Sequence, residues 1–79
     1  MKTKIIVFGT PTCGWCKKVK DYLSNKGFQY KYIDVSKDDQ ALRDMQRKTG
    51  QMGVPQLWIN NKAVVGFDKG KIDRLLQNQ

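Results

Sequence analysis

The feature that most constrains this chain is Cys13-Gly14-Trp15-Cys16, its only two cysteines, set two residues apart just after the apolar run Ile5-Ile6-Val7-Phe8. A short β-branched run reads as a buried strand, here Lys2 to Phe8, and Gly9-Thr10-Pro11 ends it. Thr12 or Cys13 then opens a helix, so the cysteine pair falls at a strand-to-helix junction. A disulfide between them closes so small a loop that it removes little entropy from the unfolded chain, which argues against a structural staple and for reversible redox chemistry. Half of a zinc site is the other use of such a pair. That site needs further thiolate or imidazole ligands, and the sequence has no third Cys and no His, which leaves metal binding only through carboxylates or a second chain, and none is expected.

The rest of the chain continues the alternation of strand and helix. Cys16, Val19, Tyr22 and Leu23 recur at helical spacing, and Asn25-Lys26-Gly27 supplies the stop. Phe28 to Asp34 alternates as a half-exposed edge strand. Ser36-Lys37-Asp38-Asp39 carries a helix cap, Ala41, Leu42, Met45 and Thr49 mark one helical face, and Gly50 ends it. Pro55 precedes a strand over Gln56 to Ile59, Asn60-Asn61 is a turn signal, and Ala63 to Val65 completes a hairpin. Asp68 caps a last helix bearing Ile72, Leu75 and Leu76. The order β-α-β-α-β-β-α predicts an α/β fold, with a parallel right-handed crossover first and an antiparallel hairpin added to the same four-stranded mixed sheet, flanked by three helices.

Composition sets limits on this scheme. With 79 residues the chain suits one domain over 1–79, burying roughly 60% of the surface that the unfolded chain exposes. The N-terminal apolar run is too short for a signal peptide or a membrane span, and a reducing cytoplasm is the expected location. Fifteen Lys and Arg against seven acidic residues, all Asp, give a net charge of +8, which favours acidic partners and fast electrostatic encounter. Charge alone suggests a nucleic-acid-binding module, but no nucleic-acid motif accompanies it.

Three segments in order, Thr12-Cys13-Gly14-Trp15-Cys16-Lys17, Gly53-Val54-Pro55-Gln56 and Val65-Gly66-Phe67-Asp68, resemble the small glutaredoxin-like redoxins of the thioredoxin fold, including the NrdH and YruB types. The resemblance covers nearly the whole chain. It implies a cis Val54–Pro55 bond beside the cysteines and a Val54 backbone that pairs with a substrate peptide or glutathione. It also implies a monomer that passes electrons to disulfide-containing proteins. Thioredoxins proper carry a buried Asp where Val7 stands and a different sequence between the cysteines. Glutathione-using relatives commonly carry a basic residue where Thr10 stands and a Gly-Gly-x-Asp-Asp segment where this chain has Val65-Gly66-Phe67-Asp68-Lys69. Both a thioredoxin-reductase-like flavoprotein and glutathione as co-substrate therefore remain candidate electron donors, with no tightly bound cofactor. A glutathione-ligated iron-sulfur carrier, using Cys13 of two chains, is the alternative from another class.

Chemical roles follow from position. The first cysteine of C-x-x-C at a helix start faces unpaired N–H groups and the positive end of the dipole, which makes Cys13 the expected nucleophile. Cys16, one turn on and deeper, is the expected resolving thiol. Lys17 and Lys18 are candidates for tuning Cys13, although solvated surface charge is the simpler account of both. Trp15 offers either an apolar contact surface or space filling. Gly66 serves either close backbone approach near the cysteines or a strand-end turn. Phe67 and Asp68 join the candidate substrate surface, with Asp68 also a helix cap. Trp58, Met45 and Met52 are expected to pack.

Overall fold

The computed structural model describes residues 3–77. Its elements are β1 (Ile5–Gly9), α1 (Gly14–Asn25), β2 (Lys31–Asp34), α2 (Asp39–Thr49), β3 (Gln56–Ile59), β4 (Lys62–Val65) and α3 (Lys69–Gln77). They form one mixed sheet of order β2-β1-β3-β4, parallel between β1 and β2 and antiparallel elsewhere. The predicted element order and edge position of β2 agree. Strand β1 is shorter than expected, beginning at Ile5; Lys2 lies outside the described residues, while the Lys4 N–H donates to Asn60 Oδ1 at 2.9 Å.

Strand alternation divides the interior into two layers. Ile5, Val7, Leu57, Ile59 and Val64 face α1 and α3, where they meet Val19, Leu23, Ile72 and Leu76. Phe8, Val35, Ala41 and Met45 form the second layer under α2, with Ile6, Ile33, Leu42, Val54 and Trp58 packed against it. Trp58 packs as expected, its ring 4.8 Å from that of Phe8. Met52 does not: it is exposed, on a loop between α2 and β3 that enters neither layer.

Helix ends follow local chemistry. Asp38 caps α2 by accepting the Ala41 N–H at 3.0 Å, and Gly50 closes it in the left-handed region at φ 73°. Asp68 caps α3 through the Lys71 N–H at 3.1 Å. At the end of α1, Gly27 adopts φ 82° while Phe28 N–H returns to the Leu23 carbonyl at 3.0 Å. That closure consumes the backbone of Phe28, so β2 starts at Lys31 and not at Phe28; Phe28 and Tyr30 pack onto the α1–α3 layer instead. Asn60 and Asn61, at φ 51° and 72°, make the two-residue hairpin turn.

Candidate active site

Four segments converge at one end of the sheet. Register pairs Phe8 with Gln56, Gly9 with Asp34 and Gln56 with Val65, so the C-terminal ends of β1, β2 and β4 meet the start of β3. The chain leaving β1 turns at once: Cys13 N–H donates to the Thr10 carbonyl at 3.2 Å across a turn with Pro11 in its second position. This delivers Cys13 to the N-cap of α1, in extended conformation, where its Sγ accepts the Cys16 N–H at 3.0 Å.

The two cysteines are joined in a disulfide, with Cα atoms 5.3 Å apart, inside the usual range of about 4.4–6.8 Å. Their surroundings differ. Cys13 is half-buried, whereas Cys16 is 1% exposed and lies against the sheet. Room for Cys16 comes from Gly9: a Cβ at that position would stand 2.8 Å from Cys16 Sγ and 3.1 Å from Tyr32 Cε1. Burial pushes the Tyr32 phenol up, with the Asp34 charge adding to it.

Gly66 has φ 78°, and a Cβ there would meet nothing within 4 Å. It therefore serves a turn, and the close approach beside the cysteines belongs to Gly9, a residue the sequence offered only as a strand end. The signal that could have found it is a side-chain-free residue closing a buried strand four positions before the first cysteine. Gln56 was missed as well; it is fully buried on the α2 side of the sheet, although a polar residue opening an otherwise apolar strand could have marked it.

Apolar and charged side chains from the start of α1 and from the segment after β3 share one groove. Trp15 and Val65 are exposed, and with Lys18, Phe67, Asp68 and Lys69 they line it. The Trp15 and Phe67 rings lie 6.2 Å apart, with Lys18 Nζ 4.4 Å above Trp15. Lys17 pairs with Asp21 at 3.1 Å. Pro55 is buried, its bond to Val54 is cis, and its carbonyl accepts the Gly66 N–H at 2.8 Å. Among the described residues the Val54 N–H and C=O have no hydrogen-bond partner, so this stretch of backbone is open at the end of the sheet that carries the disulfide. The same residues include no group of three or more His, Cys, Asp or Glu able to hold a metal ion, and no helix long and apolar enough to cross a membrane.

Residues 5–64 match the Glutaredoxin family. A glutaredoxin-like 8.6 kDa protein from the rubredoxin operon of Clostridium pasteurianum is 38% identical over 73 residues, covering 92% of this chain and 97% of that protein. The chain belongs to the glutaredoxin family. Among solved structures, Methanosarcina acetivorans methanoredoxin superposes on this glutaredoxin with a TM-score of 0.84 at 32% identity, covering 92% of this chain and 83% of that one. Buckwheat glutaredoxin in complex with glutathione superposes with a TM-score of 0.78 at 26% identity, covering 95% and 74%. The glutaredoxin is thus a thiol-disulfide oxidoreductase of thioredoxin fold, and its Cys13–Cys16 pair is the redox-active group.

Proposed function

We propose that this glutaredoxin reduces disulfides in protein substrates, with Cys13 attacking and Cys16 resolving. The observation that carries the reading is the asymmetry within one helical turn. Cys13 sits at the N-cap within reach of solvent, and Cys16 is sealed against Gly9. In the reduced protein the Cys13 thiolate attacks one sulfur of the substrate disulfide, and the departing substrate sulfur takes up a proton. Cys16 then loses its proton and attacks Cys13 Sγ, which breaks the mixed disulfide and releases the second substrate thiol. Two electrons and two protons pass to the substrate, and the Cys13–Cys16 disulfide remains. The helix start favours negative charge on Cys13 through the Cys16 N–H and the dipole. Lys17 and Lys18 are not needed for this, since Asp21 and the Trp15 ring already engage them.

In this reading the substrate chain pairs with the free Val54 backbone beside Pro55 and lays a side chain into the groove of Trp15, Phe67 and Val65. Gly66 holds Pro55 through its N–H, and Asp68 holds the far wall by capping α3. A thioredoxin-reductase-like flavoprotein is the favoured electron donor, because Thr10 offers no cation to a glutathione carboxylate. The buckwheat complex is the observation that supports glutathione as the second reading. Following NADPH consumption with either reductase system separates the two donors. Mutagenesis tests the division of labour: Cys13→Ser should abolish exchange, and Cys16→Ser should trap a mixed disulfide with the substrate. Trapping through Cys16 in the Cys13→Ser variant would reverse the assignment.

A further inference from the structure

Gln56 is the one polar side chain fully buried among the described residues, and its hydrogen bonds go to the end of α2 and to the loop that follows it. Its Nε2 donates to the Gln51 carbonyl at 2.9 Å and to the Gly53 carbonyl at 3.0 Å. These two carbonyls fix which end of the amide is nitrogen. Its Oε1 accepts from Thr49 Oγ1 at 2.9 Å, and Thr49 Oγ1 accepts the Gln51 N–H at 3.2 Å. A hydroxyl has one proton; Gln56 Oε1 is its nearest acceptor, closer than the Met45 and Gln51 carbonyls at 3.2 and 3.3 Å.

The loop 50–53 belongs to no strand and its residues are exposed, so what holds its backbone to the protein is side-chain hydrogen bonding from beneath. Gln56 and Thr49 supply it. On the other side the Gly66 N–H holds the Pro55 carbonyl at 2.8 Å. Val54 is therefore clamped at both flanks while its own N–H and C=O stay free among the described residues. A buried amide that makes two bonds to one loop and a third to the end of the helix before it is costly to disrupt and holds that loop in a single geometry.

We propose that Gln56, with Thr49, is a positioning residue for substrate: it fixes the Val54 backbone at the height where an extended substrate chain pairs with it. The proposal rests on the reading of the site given above. It separates binding from thiol chemistry, because among the described residues neither side chain hydrogen-bonds to a cysteine.

The test compares two disulfides reduced in turnover, with an excess of a small dithiol regenerating the protein and its uncatalysed rate subtracted: insulin, which presents a polypeptide backbone, and the small neutral bis(2-hydroxyethyl) disulfide, which does not. Gln56→Met keeps volume and removes both donors; Thr49→Val removes the hydroxyl, and Thr49→Ser restores it. For Gln56→Met and Thr49→Val, KM for insulin should rise about tenfold with kcat held, as expected when a positioning contact is lost. The rate with the small disulfide should stay within about twofold of the parent, and Thr49→Ser should recover the parent KM. Cys13 thiolate absorbance in a Cys16→Ser background should titrate as in the parent. Equal losses on both disulfides, or no loss on insulin, would overturn the inference. Thr49→Val carries the test if Gln56→Met does not fold. A parent protein that traps no insulin through Cys16→Ser removes the underlying reading; a trapping parent with unaffected variants removes only this inference.

Discussion

Gly9 holds the position on which the disulfide's depth depends. Its missing side chain is what lets Cys16 Sγ sit against the sheet, with Tyr32 closing the other side. Gly9→Ala forces a methyl to 2.8 Å from that sulfur, and Cys16 lies on a helix whose own face, Val19 and Leu23, is fully buried. The helix start must move, so the oxidised variant should lose about 1–3 kcal/mol, the usual cost of overpacking. Denaturant midpoints of the oxidised parent and variant measure this; an unchanged midpoint would mean that α1 yields freely. Residue-scale legibility was uneven for a physical reason. Cys13, Cys16 and Pro55 announce themselves by type and spacing. Gly9 matters through contacts with Cys16 and Tyr32, 7 and 23 positions away, and Gln56 through a loop that its side chain reaches only once the strand is buried, so the local signals that mark them carry no role.

Helices α1 and α3 are tied by more than their apolar faces. Tyr22 Oη donates to Asp73 Oδ1 at 2.5 Å, Lys26 Nζ approaches the same oxygen at 3.6 Å, and Phe67 meets the Tyr22 ring edge-on at 5.4 Å. The bond to Asp73 is the main reason the Tyr22 phenol is raised above its ordinary value, with burial and the Asp73 charge adding and Lys26 opposing. A phenol that holds its proton more tightly when folded contributes stability that is fully present below the unfolded value, about pH 10, and is lost as pH rises through the folded one. Tyr22→Phe should therefore cost about 1 kcal/mol at neutral pH, and its stability should fall less than the parent's between neutral pH and the alkaline range. Urea midpoints of both proteins across that range decide it; parallel curves would show that the bond contributes nothing. At this scale the sequence was most legible, since Asp38, Gly50, Asp68 and the Asn60-Asn61 turn act on backbone within a few residues of themselves. The start of β2 was not, because Phe28 is claimed by the closure of α1 before the sheet can use it.

The molecule as a whole carries +8, and the lysines lining the groove, Lys18 and Lys69, sit over the Trp15 and Phe67 rings. If that field guides acidic partners to the disulfide end, the rate of exchange with an acidic protein disulfide should drop steeply between low and physiological salt. The rate with bis(2-hydroxyethyl) disulfide should hardly change. Stopped-flow rates across a salt series measure both, and equal responses would return the lysines to ordinary surface charge. The alternation of strand and helix gave the element order, the one parallel crossover and the antiparallel hairpin, whereas the pairing of β3 with the free edge of β1 is set by packing across the sheet. The sheet also gives the protein two poles. Cys13, Val54 and Gly66 occupy one, while the Asn60-Asn61 turn, bonded to Lys4 through Asn60, occupies the other, about five residues of strand away. That far turn is where a surface, a dye or a fused chain can be attached with the working face left pointing outward. Any larger assembly that docks this protein by its hairpin keeps its redox end free to meet a passing substrate.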